Sequence, residues 1–452
     1  MRAVQLPWRT LVHIIATGFL VCAVAFINGY PLVYSDTGAY LASSFSLEPL
    51  PDRPLGYGLF IRMVTWQSTL WTVVVAQGTL TSWLLLELIL QFFPRDRALR
   101  WHVITIAVLL IVSSMPWFSA EVMPDIFTPL LLIVWFLLWY GNEIPLYRRT
   151  MLWVFAVVFL GSHYSHVAMT LAALGLLVLV RARSGSGSLV VPWSVLSGTL
   201  VACLGVITMQ SAMNASYGYG WKYAPSRHTF FAARLCDSDV LGRYLDERCS
   251  EKPNWLCRYR AELPTQPVAF LWAGDSPLAK EGLNMASADP LLEPIVRDLM
   301  TSPVHLGHYI KSACIGSVVQ LFQVRTNSGL QSYSEGSSPY FWIQKKLPDE
   351  LGPFRTSVQS LYGYTLFDLD VLVLLALLAS CVFMFLKWSV VQAHPALERF
   401  IALVVVWYVL NAIITASLAN VYDRLQSRVA WLLVLCAILV VSKAIPGRQP
   451  AS

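Results

Sequence analysis

Residues 304–323, VHLGHYIKSACIGSVVQLFQ, are long and apolar enough to cross a bilayer. Whether they do so decides the topology of everything after them. A span here would put Lys387 and Arg399 on the side opposite the other short basic loops. That conflicts with the tendency of Lys and Arg in short loops to collect on one face. His305, His308 and Lys311 at the start of the stretch instead fit an amphipathic helix resting on the outer interface.

Working outward, 56% of the 452 residues are hydrophobic and 13% charged, where soluble domains carry about 25% charged residues. The expected class is an all-α polytopic membrane protein. Apolar runs at 11–29, 68–91, 101–115, 122–140, 190–211, 366–387, 397–418 and 429–444 are candidate spans. Two shorter runs, 150–161 and 166–181, flank the turn SHYSH, giving about ten transmembrane helices. Alternating spans place Arg2, Arg9, Arg95, Arg97, Arg100, Arg148 and Arg149 on one side. Arg181, Arg183, Lys387, Arg399, Lys443 and Arg448 join them there. Both termini are then expected to be cytoplasmic. Arg2, Arg9 and Ala23-Val24-Ala25 imitate a cleavable signal, but the many later spans favour an uncleaved first helix. A lipidated Cys22 is disfavoured by the large Val21 before it. The net charge of +6 largely reflects the basic loops, and no basic-aromatic stripe points to nucleic acid.

Three parts follow. A seven-span block covers 1–211, with a first outer loop at 30–67 expected to form short interfacial helices. An extracytoplasmic segment covers 212–365, and a three-span block covers 366–452. The outer segment holds 15 Lys and Arg against 14 Asp and Glu, and is too long for a bare loop; it is expected to be mostly helical. LQSYSEGSSPYFW (330–342) reads as irregular and RARSGSGS (181–188) as a flexible turn. Cys22, Cys203, Cys381 and Cys436 fall in apolar runs as packing residues. Among Cys236, Cys249, Cys257 and Cys314, the pair Cys249–Cys257 is easiest to close, although sequence does not settle connectivity.

Ionisable residues recur in the outer loops. In VYSDTGAYL (33–41), Asp36 sits where it can cap a helix. In PDRPLGYGLFIRMV (51–64), Pro54 pushes Arg53 to an extended conformation, from which it can meet Asp36 or an anionic substrate. SAEVMPDIFTP (119–129) spaces Glu121 and Asp125 by four residues, which would put both on one helix face. Capping is the plain role of this pair, but an ionisable group within a membrane is usually functional. His163 and His166 of SHYSH could hydrogen-bond a polar substrate or bind a metal, for which two histidines alone are a thin set. In NVYDRLQSRVAW (420–431), Arg424 and Arg428 share a helix face, and their planar forks suit a phosphate.

These stretches resemble the GT-C superfamily of integral-membrane glycosyltransferases. The likeness lies in VYSDTGAYL after the first span, RPLGYGLF, the acidic EVMPDIF and the many spans around an outer segment. The resemblance implies transfer of a sugar from a polyprenyl-phosphate carrier to an extracytoplasmic lipid, glycan or protein acceptor, in a bacterial inner membrane. It implies two membrane-lying helices in the first outer loop. Asp36 would be base or electrostatic stabiliser, and Asp125 or Glu121 a second acid. Arg424 and Arg428 would hold the lipid phosphate, and Arg53, Tyr57, His163 and His166 would line the substrate. No cofactor is required by this reading, and a divalent metal is left open. The chain is also similar to bacterial membrane proteins with comparable SD…Y, RP-GY and RLQ-R stretches. It departs from protein mannosyltransferases in that Thr37, not a second acid, follows Asp36, and from oligosaccharyltransferases in reading NWLC at 254–257. A transporter or flippase of a lipid-linked or anionic substrate, and a non-catalytic envelope assembly protein, are the alternatives.

Overall fold

The computed structural model describes residues 8–184, 191–363 and 369–445. The basic residues Arg2 and Arg448 and the second half of the turn at 181–188 fall outside these. All named elements among the described residues are helical; the only pairings of strand type are isolated bridges, Leu32 with Glu121 and Leu50 with Arg53. The helices that matter below are α1 (Trp8–Val21), α2 (Thr37–Ser46), α3 (Gly56–Thr65), α4 (Trp71–Ile89), α5 (Arg95–Val112), α6 (Phe127–Tyr140), α7 (Leu146–Leu160) and α8 (Tyr164–Ser184). They continue with α9 (Trp193–Ser216), α10 (Arg227–Asp237), α11 (Met285–Thr301), α12 (Pro303–Gln320), α13 (Ser338–Lys346), α14 (Asp370–Leu386), α15 (Pro395–Leu418) and α16 (Asp423–Ala444).

Five of these, α4, α8, α9, α15 and α16, are long and apolar enough to cross a membrane. The expectation of about ten is corrected to that number. The physical reason lies in how the remaining runs fold. α1 and α14 are short for a span, and so is the helical stretch Pro124–Tyr140 that contains α6. α5 opens with Arg95, Asp96, Arg97 and Arg100, and α7 carries Arg148 and Arg149 in its first turn. Residues 30–67 do form two short helices, α2 and α3, packed against each other.

The connections sort to two ends. At one, the Leu32 N–H donates to Ala120 O and the Val122 N–H to Leu32 O, both at 2.9 Å, while the Gly56 N–H donates to Gly161 O at 3.0 Å. At the other, Arg95 donates to Thr10 Oγ1 at 2.6 Å, the Asn142 N–H to Gln91 Oε1 at 2.9 Å, and Lys443 to Phe92 O at 2.6 Å. Loops rich in acids, histidines and tyrosines thus meet at one end and basic loops at the other.

Within the segment 212–365, residues 232–299 have a core of their own, where Leu235, Leu241, Leu245, Phe270, Leu292 and Leu299 are buried together. The Cys249–Cys257 disulfide closes beside it. The stretch at 304–323 is helical as α12, and its partner is α15. Tyr309 Oη donates to Ser417 O at 3.2 Å and Tyr408 Oη to Leu321 O at 2.7 Å, so the two helices run antiparallel. Buried Arg234 ties α10 to both, donating to Ala416 O at 2.6 Å and Ser312 Oγ at 3.2 Å. The stretch read as irregular, 330–342, is only partly so, because Pro339 in its first turn starts α13. α13 packs on α2 and closes over the first loop.

Candidate functional site

Asp36 occupies the N-cap position of α2 with helical φ/ψ of −80° and −16° and makes no side-chain cap bond. A capping side chain needs an extended backbone to reach back to the free N–H groups. Its carboxylate therefore turns elsewhere. Arg53 Nη2 lies 3.3 Å from Asp36 Oδ1, and Arg424 Nη2 lies 3.6 Å from Oδ2. Arg53 is fixed by its neighbour Asp52, at 2.9 Å from Nε and 2.5 Å from Nη2, and by the Asp36 carbonyl at 3.3 Å.

Asp125 joins the same cluster from below. Its Oδ1 is 3.2 Å from Arg428 Nη1 and its Oδ2 is 3.7 Å from Arg424 Nε. Arg428 also donates to Asn411 Oδ1 at 3.0 Å, and its Nη2 reaches Ser165 Oγ at 3.5 Å. Side-chain exposure falls along this chain, from 32% at Asp36 to 10% at Arg424, 1% at Asp125 and none at Arg428. Asp36 is the mouth and Asp125–Arg428 the floor.

Two tyrosines support the arginines. The Arg424 guanidinium lies 3.8 Å from the centre of the Tyr34 ring, and that of Arg53 lies 5.1 Å from Tyr40. Such stacking holds a guanidinium flat while leaving its edge free to donate. Among the described residues, buried Arg424 Nη1 has no hydrogen-bond partner, and neither has Arg428 Nε or Glu121 Oε2. Unsatisfied polar atoms are costly in a protein interior, and at a site they mark where a further polar group can be received.

Burial disfavours the Asp36 charge, but Arg53 and Arg424 outweigh it and hold the carboxyl below its ordinary range. Glu121 goes the other way. Burial and then the nearby Asp125 push its carboxyl up to about 8, against the pull of Arg424. Burial and the positive Arg428 keep His163 well below the usual imidazole range.

The site residues expected from sequence divide as follows. Asp36, Arg53, Asp125, Arg424 and Arg428 converge. Glu121 is nearby but does not share a helix face with Asp125. Met123 before Pro124 is extended, at φ −148° and ψ 152°, so the helical turn begins only at Pro124. The two arginines do not form an open clamp, since both are already engaged by Asp125. His166 spends both ring nitrogens on structure, with Thr128 Oγ1 at 2.7 Å and Phe159 O at 2.6 Å. His163 Nδ1 meets Ser165 Oγ at 2.8 Å. Tyr57 is buried and donates to Gln77 Oε1 at 2.7 Å, which makes it part of the packing beneath α3. Among the described residues no group of three or more His, Cys, Asp or Glu is placed to hold a metal ion.

Sequence reading missed Asp52, Tyr34, Tyr40, Asn411 and Ser165 as members of the cluster. The tyrosines were within sight, flanking Asp36 in VYSDTGAYL. Asn411 lies inside an apolar span, where a lone amide is itself a signal. No protein-family model, curated protein or solved structure matches the chain.

Proposed function

We propose that this chain is a membrane glycosyltransferase of the GT-C type, moving a sugar from a polyprenyl-phosphate carrier to a hydroxyl acceptor on the outer face of a bacterial inner membrane. The observation that carries the reading is the position of Asp36 as the one partly exposed carboxylate at the mouth of a buried arginine cluster. In this reading the sugar-binding face is built by α2, α3 and α13.

The chemistry follows from exchange of partners. The donor's phosphate enters beside Asp36 and takes Arg424, whose Nη1 is unspent, together with Arg53. Losing those cations raises the basicity of the Asp36 carboxylate as the donor binds. The acceptor oxygen attacks the anomeric carbon, its proton passes to Asp36, and the anomeric carbon–oxygen bond to the phosphate breaks. The polyprenyl phosphate leaves with the added negative charge, and the arginines stabilise it as it develops. Asp125 stays with Arg428 and keeps Arg424 from swinging out.

The test is to supply purified protein with a panel of polyprenyl-phosphate sugars and candidate acceptors and to look for product by mass spectrometry. Wild type should yield a glycosylated product and free polyprenyl phosphate, and Asp36→Asn at equal protein level should yield neither. Uptake of a lipid-linked substrate by proteoliposomes without a new glycosidic bond would favour a transporter instead. No product and no uptake across the panel would point to a non-catalytic envelope role.

A further inference from the structure

The end of the molecule opposite Asp36 contains a cavity of about 120 Å³ between α1, α4, α5 and α7. That is far more than the roughly 10–15 Å³ needed for one water. Its polar lining is Thr10, Glu87, Arg95 and Arg148, and its apolar walls include Ile14 and Leu90. The two arginines are not in the same state. Arg148 is paired with buried Glu87 at 3.1 Å, and Glu87 Oε1 also accepts from Trp83 Nε1 at 3.1 Å. Among the described residues Arg95 has only a neutral hydroxyl, that of Thr10 at 2.6 Å, and no ion pair. The lining therefore carries one more cation than anion. An ion pair serving only to tie α4 to α7 would need neither the second arginine nor the space beside it.

The surroundings narrow the ligand. Trp8, Leu11 and Ile15 of α1 and Met151 and Val154 of α7 are exposed apolar side chains on the helices that frame the cavity. Arg97, Arg100 and Arg149 add positive charge at the same end. A basic pocket between apolar helices takes an anionic head group while the helix surfaces take acyl chains.

We infer that this cavity is a binding site for a phosphodiester, the head group of an anionic membrane phospholipid, held by Arg95 and Arg148 with Thr10 donating or accepting beside them. One negative charge from the phosphodiester balances the lining. The site is separate from the Asp36 cluster and does not depend on the activity proposed there.

Native mass spectrometry of the full-length protein in neutral detergent tests this, with phosphatidylglycerol and phosphatidylcholine of identical acyl chains as probes. Phosphatidylglycerol should be retained preferentially, and Arg95→Gln should cut that preference about fivefold, the equivalent of the ~1 kcal/mol attributed to one basic residue near a lipid head group. Arg95 is exposed, so its loss leaves the fold intact. Glu87→Gln should have the opposite sign, releasing Arg148 and strengthening retention. A parallel titration with inorganic phosphate separates the sources. Binding of phosphate that Arg95→Gln abolishes, without preference for phosphatidylglycerol, would keep the phosphoryl site but overturn the lipid. Equal retention of both lipids with no phosphate binding would overturn the site, as would a preference unchanged in both variants.

Discussion

Asp36 and Asp125 lie in one cluster and answer to different physics. Asp36 is partly exposed and touches arginines that have other partners, so Asp36→Asn should leave the unfolding midpoint in detergent close to wild type. Asp125 is enclosed with Arg428, which has no exposure at all. Removing one partner of such a pair strands the other, at a cost of about 3–5 kcal/mol. Asp125→Asn should therefore lower the midpoint strongly in a denaturant titration followed by tryptophan fluorescence. If both variants melt alike, the division into mouth and floor is wrong. Glu121 supplies a pH test. Its carboxyl is raised to about 8 when folded, from 4.5 when free. Between these values the folded state holds a proton that the unfolded state has released. Stability from this group is thus greatest below pH 4.5 and falls as pH rises toward 8. Glu121→Gln should flatten that fall and raise stability at pH 8 by on the order of a few kcal/mol. A wild-type profile that rises across pH 5–8 while the variant's stays flat would contradict the assignment.

At the scale of elements, the pair α2 and α3 was legible before any coordinates, because VYSDTGAYL and RPLGYGLF each combine a helix start with apolar faces. The relation of Glu121 to Asp125 was not. Four-residue spacing predicts a shared face only when the helix is continuous, and Pro124 starts it between the two. The convergence of Arg424 with Asp36 was also beyond sequence, since it depends on how loops nearly four hundred residues apart are stacked. What stacks them is close backbone contact. A Cβ added at Gly56 would lie 2.2 Å from the Gly161 carbonyl oxygen, the acceptor of the Gly56 N–H. Gly56→Ala should push α3 off the turn before α8 and cost about 1–3 kcal/mol, typical of overpacking. Arg53 sits just ahead of α3, so the same variant should weaken donor binding in the transfer assay, while replacing exposed Met63 of the same helix by Ala should not.

For the whole molecule, the two separate cores imply two kinds of cohesion. The helices of the membrane-facing part are held by packing and polar ties such as Gln77 to the carbonyls of Ser119 and Glu121, since lipid offers no hydrophobic drive between them. Residues 232–299 form an ordinary hydrophobic core stapled by Cys249–Cys257, a loop of eight residues' separation. Chain-entropy arguments assign such a short loop about 2–3 kcal/mol. A Cys249→Ser, Cys257→Ser double variant should lose that amount in the unfolding of the outer segment alone. Arg234 of α10 ties the core within residues 232–299 to α12 and α15, so unfolding of that core should free Ser312 and Ala416 before α15 melts. Hydrogen exchange read by mass spectrometry would show this order as early exchange across α10 and α11 and late exchange in α15. The two ends of the molecule give a second test. Single cysteines replacing exposed Glu335 and Glu143, in a background lacking the free cysteines, should react differently with a membrane-impermeant maleimide added to intact spheroplasts. Glu335 lies in the outer segment and Glu143 between α6 and α7 at the basic end. Labelling at 335 without permeabilisation, and at 143 only after it, is expected from the distribution of Lys and Arg. Labelling at 143 from outside, and at 335 only after permeabilisation, would mean that the basic end is not cytoplasmic, and would move Asp36 away from the face where a lipid-linked sugar is presented.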